Sequence, residues 1–416
     1  MSISPDPSQS SSANSERLRR MDPPIVSIAE LDHHPHDTLR RYRSIAPFIK
    51  RDNGGFLAIR ANVVEALITD PRTRQVEIEI MLARGLREGA LFDFYKHSML
   101  FTNGPDHRRR RASMSRTFAA KLVEEMRPRI RAIAEQILDE AESQGGMNFL
   151  DRFCALIPAR ILSDILGIQD ADIPRFTMWV YSMSRGINSS YSTEHMAEIE
   201  QAARQLTQYV SELLESRRAS PQEDFLSRFV KAVEEEGTLS PMETLIQVVS
   251  VIVAGSDTTR TALAIQTDLL LKHPEQWRAV CADPALIPGA VSEAMRYEPS
   301  VASIPRFTVE EIEADGFVVP RNSIISLSTL SAMRDESLYS DPERFDVTRI
   351  DHPKRHLVFG GGVHRCLGEA LAKAELEEGL AALTTRTPNL RVVGTPPVLT
   401  GHSGIRHMSG MEVAWR

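Results

Sequence analysis

Cys366 ends the run Phe359-Gly360-Gly361-Gly362-Val363-His364-Arg365-Cys366, and Leu367-Gly368 leads on into a strongly helical stretch reaching Arg386. Glycines let a backbone turn tightly and come close to a flat ligand, because no Cβ stands between them. A helix start offers free N–H groups and the positive end of a dipole, which favour a thiolate over a thiol. A glycine-cradled thiolate suits axial ligation of haem iron, to which it donates electron density. A turn with a buried structural cysteine is the competing reading of the same spacing.

Three more groupings have chemical potential. Ala254-Gly255-Ser256-Asp257-Thr258-Thr259 interrupts an apolar helical pattern. Glycine inside a helix costs about 1 kcal/mol against alanine, and a buried carboxylate costs more unless it has a partner or a task. Small residues beside threonine can let a helix kink or bulge at a ligand. A close helix crossing, with Asp257 in an ion pair, explains them equally. Glu293 and Arg296 share a helix face at i, i+3, ordinarily an exposed pair worth little. His107 and Arg111 share a face of His107-Arg108-Arg109-Arg110-Arg111, which reads either as a solvated basic run or as an anion site.

The Cys366 loop resembles the haem-binding loop of the cytochrome P-450 family, Phe-Gly-x-Gly-x-His/Arg-x-Cys-x-Gly. The matching residues are Phe359, Gly360, Gly362, His364, Cys366 and Gly368. The resemblance runs from about Ile25 to the end and implies haem b, with Cys366 as the iron ligand. The segment from Ala254 to Thr259 is similar to the family's oxygen-activation motif. Asp257 and Thr258 are thereby implied to be catalytic, relaying the protons that O–O cleavage consumes. His107, Arg111, Arg306 and His364 are implied to contact the haem propionates, with Phe359 and Gly368 completing the cofactor site. Glu293 and Arg296 become a buried structural pair, joined by Arg344 or, as the alternative, Arg349. By position the substrate pocket takes in Met99, Leu100, Ser250, Val253, Ala254, Ala302, Ile304 and Ile405. Phe92, Phe94 and Tyr95 are further wall or lid residues. Most are apolar, which suits a small hydrophobic molecule; core packing explains each singly. Two positions depart from the family: Pro305 before Arg306, and Met333 where asparagine is usual.

Particular elements must place these residues. Ser240-Pro241-Met242-Glu243 is a helix start with a capping box and proline at the first turn. Its apolar pattern runs to Lys272, where His273-Pro274 stops it, giving about 50 Å at 1.5 Å per residue. Apolar almost all round in its first half, that helix belongs in the interior. A short helix spans Ile287 to Tyr297, and residues Lys121 to about Leu214 are helical with breaks at Gly145-Gly146 and Gly167. Strands gather between Ser303 and Ser331, with a hairpin turn at Asp315-Gly316 and a buried strand at Ile324-Leu327. A smaller β region lies between Arg391 and Trp415. The fold class is mainly α with a smaller β portion: one compact domain, 25–416, after a flexible segment, 1–24. The resemblance places haem between the long helix and the Cys loop.

With 416 residues, 42% of them hydrophobic, the chain can bury a large core. A net charge of −7 argues against a nucleic-acid binder. Three dispersed cysteines make no disulfide framework and fit a reducing cytosol. The Ser/Pro-rich N-terminal stretch lacks the apolar run of a signal or membrane anchor, so the protein reads as cytoplasmic. No flavin-binding or iron–sulfur segment is present, so electrons come from a ferredoxin or flavodoxin with its reductase. Lys354, Arg355, Arg365, Arg109 and Arg110 would form its basic docking face. The resemblance implies a haem-thiolate monooxygenase that inserts one oxygen atom of O2 into a C–H or C=C bond of a small hydrophobic substrate. A peroxide-driven enzyme and a non-catalytic haem sensor are the alternatives, and the Asp257–Thr258 pair weighs against both.

Overall fold

A computed structural model describes residues 20–117, 120–187, 193–352 and 356–416. Short extended segments separated by turns make a six-stranded sheet from β1 (Ile25–Val26), β2 (Phe48–Arg51), β3 (Phe56–Ala58), β4 (Thr73–Gln75), β5 (Ser303–Thr308) and β6 (Ile324–Ser328). Their order is β1-β2-β3-β6-β5-β4. Residues 1–19 of the expected flexible segment lie outside the described residues. Met21 donates its N–H to the Gly316 carbonyl at 2.8 Å, so the last residues of that segment are tied to the fold. The hairpin beside it turns at Asp315 and Gly316, both at positive φ (50° and 80°), as a two-residue hairpin loop requires. Despite Pro305, β5 pairs on both sides: Arg306 faces Ile325 in β6 and Gln75 in β4.

The helices that bear on the site are α1 (Ala90–His97), α2 (Gly104–Thr117), α3 (Ala120–Ala141), α4 (Leu156–Leu166), α5 (Ile173–Ile187), α6 (Met196–Ala219), α7 (Pro241–Lys272), α8 (Ile287–Tyr297) and α9 (Glu369–Arg386). Helix α7 starts as its sequence demands. Ser240 Oγ accepts the Glu243 N–H at 3.2 Å, and the Glu243 carboxylate accepts the Ser240 N–H at 2.9 Å. Around it pack α1, α4, α5, α6, α8 and α9. That explains why an apolar helix long enough by composition to cross a bilayer is mostly buried in protein. It stays α-helical through Gly255. With 61% of residues helical and 12% in strands, the mainly α class holds.

Glu243 does more than cap. Arg109 donates to both its oxygens (2.6 and 2.8 Å) and buried Arg110 to one (3.0 Å), which locks α2 to the head of α7. Glu293 and Arg296 of α8 are fully buried and bidentate, at 2.7 and 2.8 Å. Arg296 also donates to the carbonyls of Met333 and Pro342, so the pair ties α8 to the loops around it. The third member is Arg349, whose guanidinium lies 3.1 Å from Glu293. Arg344, the first choice on sequence, points outward to Asp346 and lends only its backbone carbonyl. Met333 is wholly buried among Leu327, Ala332 and Tyr339, a packing role.

Candidate active site

A cavity of about 360 Å³ opens between α7, α5, β5 and the Cys366 loop. The loop is shaped by glycines: Gly360 and Gly362 sit at φ 67° and 59°, where a side chain would be strained. A Cβ on Gly361 would come within 2.4 Å of Ile68. The Cys366 N–H donates to the Phe359 carbonyl at 2.9 Å, and Arg365 braces the turn through the Gly360 carbonyl at 2.9 Å. Cys366 is thereby left open to the cavity instead of packed in the core. That removes the buried structural cysteine reading. The other two cysteines, Cys154 and Cys281, do not border the cavity.

Helix α9 begins at Glu369, with Gly368 as its cap. Although open to the cavity, the Cys366 thiol lies deep within the protein and away from bulk water, which pushes it up, and the Gly368 N–H, Arg111 and Arg365 counter this only partly. A bound metal cation would supply the missing positive charge.

One end of the cavity has Arg111, Arg306 and His364 on its wall, and His107, expected with them, packs against His364 without lining the cavity itself. The rings of His107 and His364 lie 4.0 Å apart. Burial, reinforced by neighbouring cations, lowers His107 to about 4 and His364 to about 3. Both nitrogens of His107 are buried without a hydrogen-bond partner. Arg306 spends two nitrogens on Thr73 (3.1 and 3.0 Å), and burial lowers it to about 10. Arg111 donates to the Arg365 carbonyl at 2.6 Å. Such a cluster, with orphaned ring nitrogens, matches the two carboxylates of haem. With Cys366 facing the same space, the residues present fit that group.

Opposite lies the middle of α7. Thr258 is on the wall and donates Oγ1–H to the Ala254 carbonyl at 3.0 Å. Asp257, one residue earlier, is off the wall, with Oδ1 3.4 Å from Arg260 Nε. Burial pushes its carboxyl up, opposed by Arg260 and His407. Of the anticipated pocket residues, Met99, Leu100, Ser250, Val253, Ala254, Ile304 and Ile405 line the cavity. Gln247 fixes the Met99–Phe101 turn by accepting from Met99 N at 2.8 Å and donating to the His97 carbonyl at 2.9 Å. Ala302 does not line the cavity: it packs with Leu31, Ile49 and Leu330, and its neighbours Ser300 and Val301 take the wall. Phe92, Phe94 and Tyr95 also pack in the core cluster, and Phe101, stacked on Tyr95 at 4.0 Å, reaches the cavity instead.

Glu375 escaped the sequence reading. It borders the cavity from α9, fully enclosed, with Oε2 unpaired, and burial pushes its carboxyl well up. The available signal was a carboxylate four residues after Leu371 on an apolar helical face. The anticipated basic docking face is also reduced. Arg109 and Arg110 turn in to Glu243, Arg365 pairs with Glu369 at 2.7 Å, and Lys354 and Arg355 lie outside the described residues.

The helical shell, the open cysteine and the anion-seeking end define a protein that holds a flat dianionic prosthetic group beside an apolar chamber. Comparison with known proteins agrees. The cytochrome P450 family profile matches residues 88–283 and 285–386. The plant-inducible cytochrome P450-pinF1 of Rhizobium radiobacter is 43% identical over 96% of this chain and 94% of its own. The 6-deoxyerythronolide B hydroxylase of Saccharopolyspora erythraea is 33% identical over 78% and 79%. Among solved structures, myxobacterial CYP267B1 in complex with myristic acid superposes with a TM-score of 0.85. It is 30% identical, over 94% of this chain and 99% of that one. The chain belongs to the cytochrome P450 family. It is a monooxygenase that uses thiolate-ligated haem b, O2, an organic substrate and redox partners.

Proposed function

We propose that the enzyme hydroxylates or epoxidises a small hydrophobic molecule, with Cys366 Sγ as the iron ligand and Thr258 and Asp257 as its proton-handling pair. The observation that carries this is the placement of Cys366 and Thr258 on the walls of one predominantly apolar cavity. Bound haem supplies the capacity to activate O2. His107, Arg111, Arg306 and His364 would neutralise its propionates, with Phe359, Gly360 and Gly368 against the macrocycle. Thr258 Oγ1 parks its proton on the Ala254 carbonyl and can turn it to the cavity by rotating χ1. Asp257, its proton affinity raised by burial, can reload that hydroxyl once it swings from Arg260. The apolar lining binds the substrate and excludes water.

Electrons are proposed to arrive from a ferredoxin or flavodoxin with its reductase, in the cytoplasm. The reduced protein with carbon monoxide should show the red-shifted Soret band of thiolate ligation, absent in Cys366→Ser; a band at the histidine-haem position would sink the assignment. Thr258→Ala should retain that band, yet lose about tenfold or more of its product per electron pair and release peroxide. Unchanged coupling would remove Thr258 from the relay.

A further inference from the structure

Arg260 stands one turn after Asp257 on α7 and is held from outside that helix. Its guanidinium carbon lies 4.4 Å from the centre of the Tyr181 ring. Tyr181, on α5, donates its hydroxyl to the Ala155 carbonyl at 3.0 Å, which fixes the ring in turn. Arg260 Nε approaches Asp257 Oδ1 to 3.4 Å but makes no hydrogen bond. The ring therefore fixes the guanidinium, and charge alone ties the carboxylate to it. Both side chains are largely enclosed, 15% and 20% exposed, so the attraction is only weakly screened by solvent. Lacking a directed bond, the carboxylate can pivot about its partner.

Helix α5 also reaches the cavity through Ser184 and Ile187. Tyr181 and Ser184 are three apart, so they share a face of α5. The helix that walls the chamber is thus the one that anchors the partner of Asp257.

We propose that Arg260, clamped by Tyr181, is a positioning residue for Asp257, so that the seating of α5 governs where that carboxylate points and how readily it takes a proton. The inference rests on the proton-relay reading of Asp257 above. The charged groups acting on Asp257 are Arg260 on its own helix and His407, in the short antiparallel pair of Leu399–Thr400 with His407–Met408. Those acting on Tyr181 are Arg260, Asp257, Cys154 and Glu375. Arg260 is the member that touches both. It favours the ionised form of Asp257, so losing it must raise the carboxyl further.

The test uses the haem-loaded protein in its diamagnetic reduced carbon monoxide complex, labelled with 13C at the aspartate carboxyls. The resonance missing from Asp257→Asn identifies the group, and its pH titration is followed in four variants. In Arg260→Ala and Tyr181→Leu the midpoint should rise by about one pH unit. In Tyr181→Phe it should stay put, because the ring and not the hydroxyl holds the cation, and Arg260→Lys should restore most of the shift. The Arg260→Ala, Tyr181→Leu double variant should lose less melting temperature than the two single losses added together, since the contact they share is lost only once. An unmoved midpoint in Tyr181→Leu, or additive melting losses, overturns the proposal. Failure of the wild type to show the thiolate band overturns the functional reading instead; the midpoints and melting curves still judge the Arg260–Tyr181 contact.

Discussion

Glu375 shows how a single buried group sets a pH dependence. Enclosure with one oxygen unpaired makes the folded protein hold its proton well above the pH at which the unfolded chain releases it. The folded state then binds more protons than the unfolded one, so stability falls as pH rises from the ordinary carboxylate value towards the raised one. Below that ordinary value both states are protonated and no penalty exists. Glu375→Gln should therefore match the wild type near pH 4 and melt several degrees higher at pH 8. Parallel melting curves from pH 4 to 8 would mean that Glu375 is solvated or partnered in solution. Residue type and local spacing singled out Cys366, Thr258 and Arg111, which do line the cavity, because each needs only its own loop or helix turn to be placed; His107 packs one layer back, against His364. Ala302 was misplaced for the opposite reason. Its segment precedes β5 without regular alternation, and the contacts that set it, the bridge pairing Val301 with Ile405 and the Ala302 N–H donated to the Gly404 carbonyl at 2.8 Å, are invisible until the C-terminal turn is folded against it.

At the scale of elements, the choice between Arg344 and Arg349 is decided by the path of a loop. The segment after Asp341, itself at φ 48°, brings Arg349 back under α8. There it meets Glu293 and donates to the carbonyls of Ser340, Asp341 and Arg344. Arg349→Ala removes a nearly buried cation from beside a fully buried carboxylate and should cost about 3 kcal/mol in chemical denaturation. Arg344→Ala, on an exposed side chain, should stay within about 0.5 kcal/mol. The reverse order would return the role to Arg344. Sequence spacing could name both arginines but not choose, since no periodicity governs an irregular loop. The long helix was legible end to end because its cap, proline and apolar pattern are all local. Glu243 was readable as a cap residue, whereas its grip on Arg109 and Arg110 depends on how α2 crosses α7.

Across the whole molecule, the net charge of −7 would repel an acidic electron carrier of the kind proposed above, so its docking would have to rely on cations close to the Cys loop. Helix α2 distributes its basic run in several directions. Arg109 and Arg110 turn to Glu243, and Arg111 turns to the cavity. Arg108 is left exposed beside them. Among the described residues the proposed face is therefore less basic than the run of arginines implies, and Arg108 would carry more of the steering. Arg108→Glu should slow reduction by an acidic [2Fe–2S] ferredoxin by about tenfold at 10 mM salt, where fields reach about 30 Å. The difference should vanish near 1 M, where they reach about 3 Å. A loss that persisted at high salt would make Arg108 a short-range contact. Equal rates at low salt would mean that the carrier docks elsewhere, since a charge reversal within its electrostatic reach cannot go unfelt.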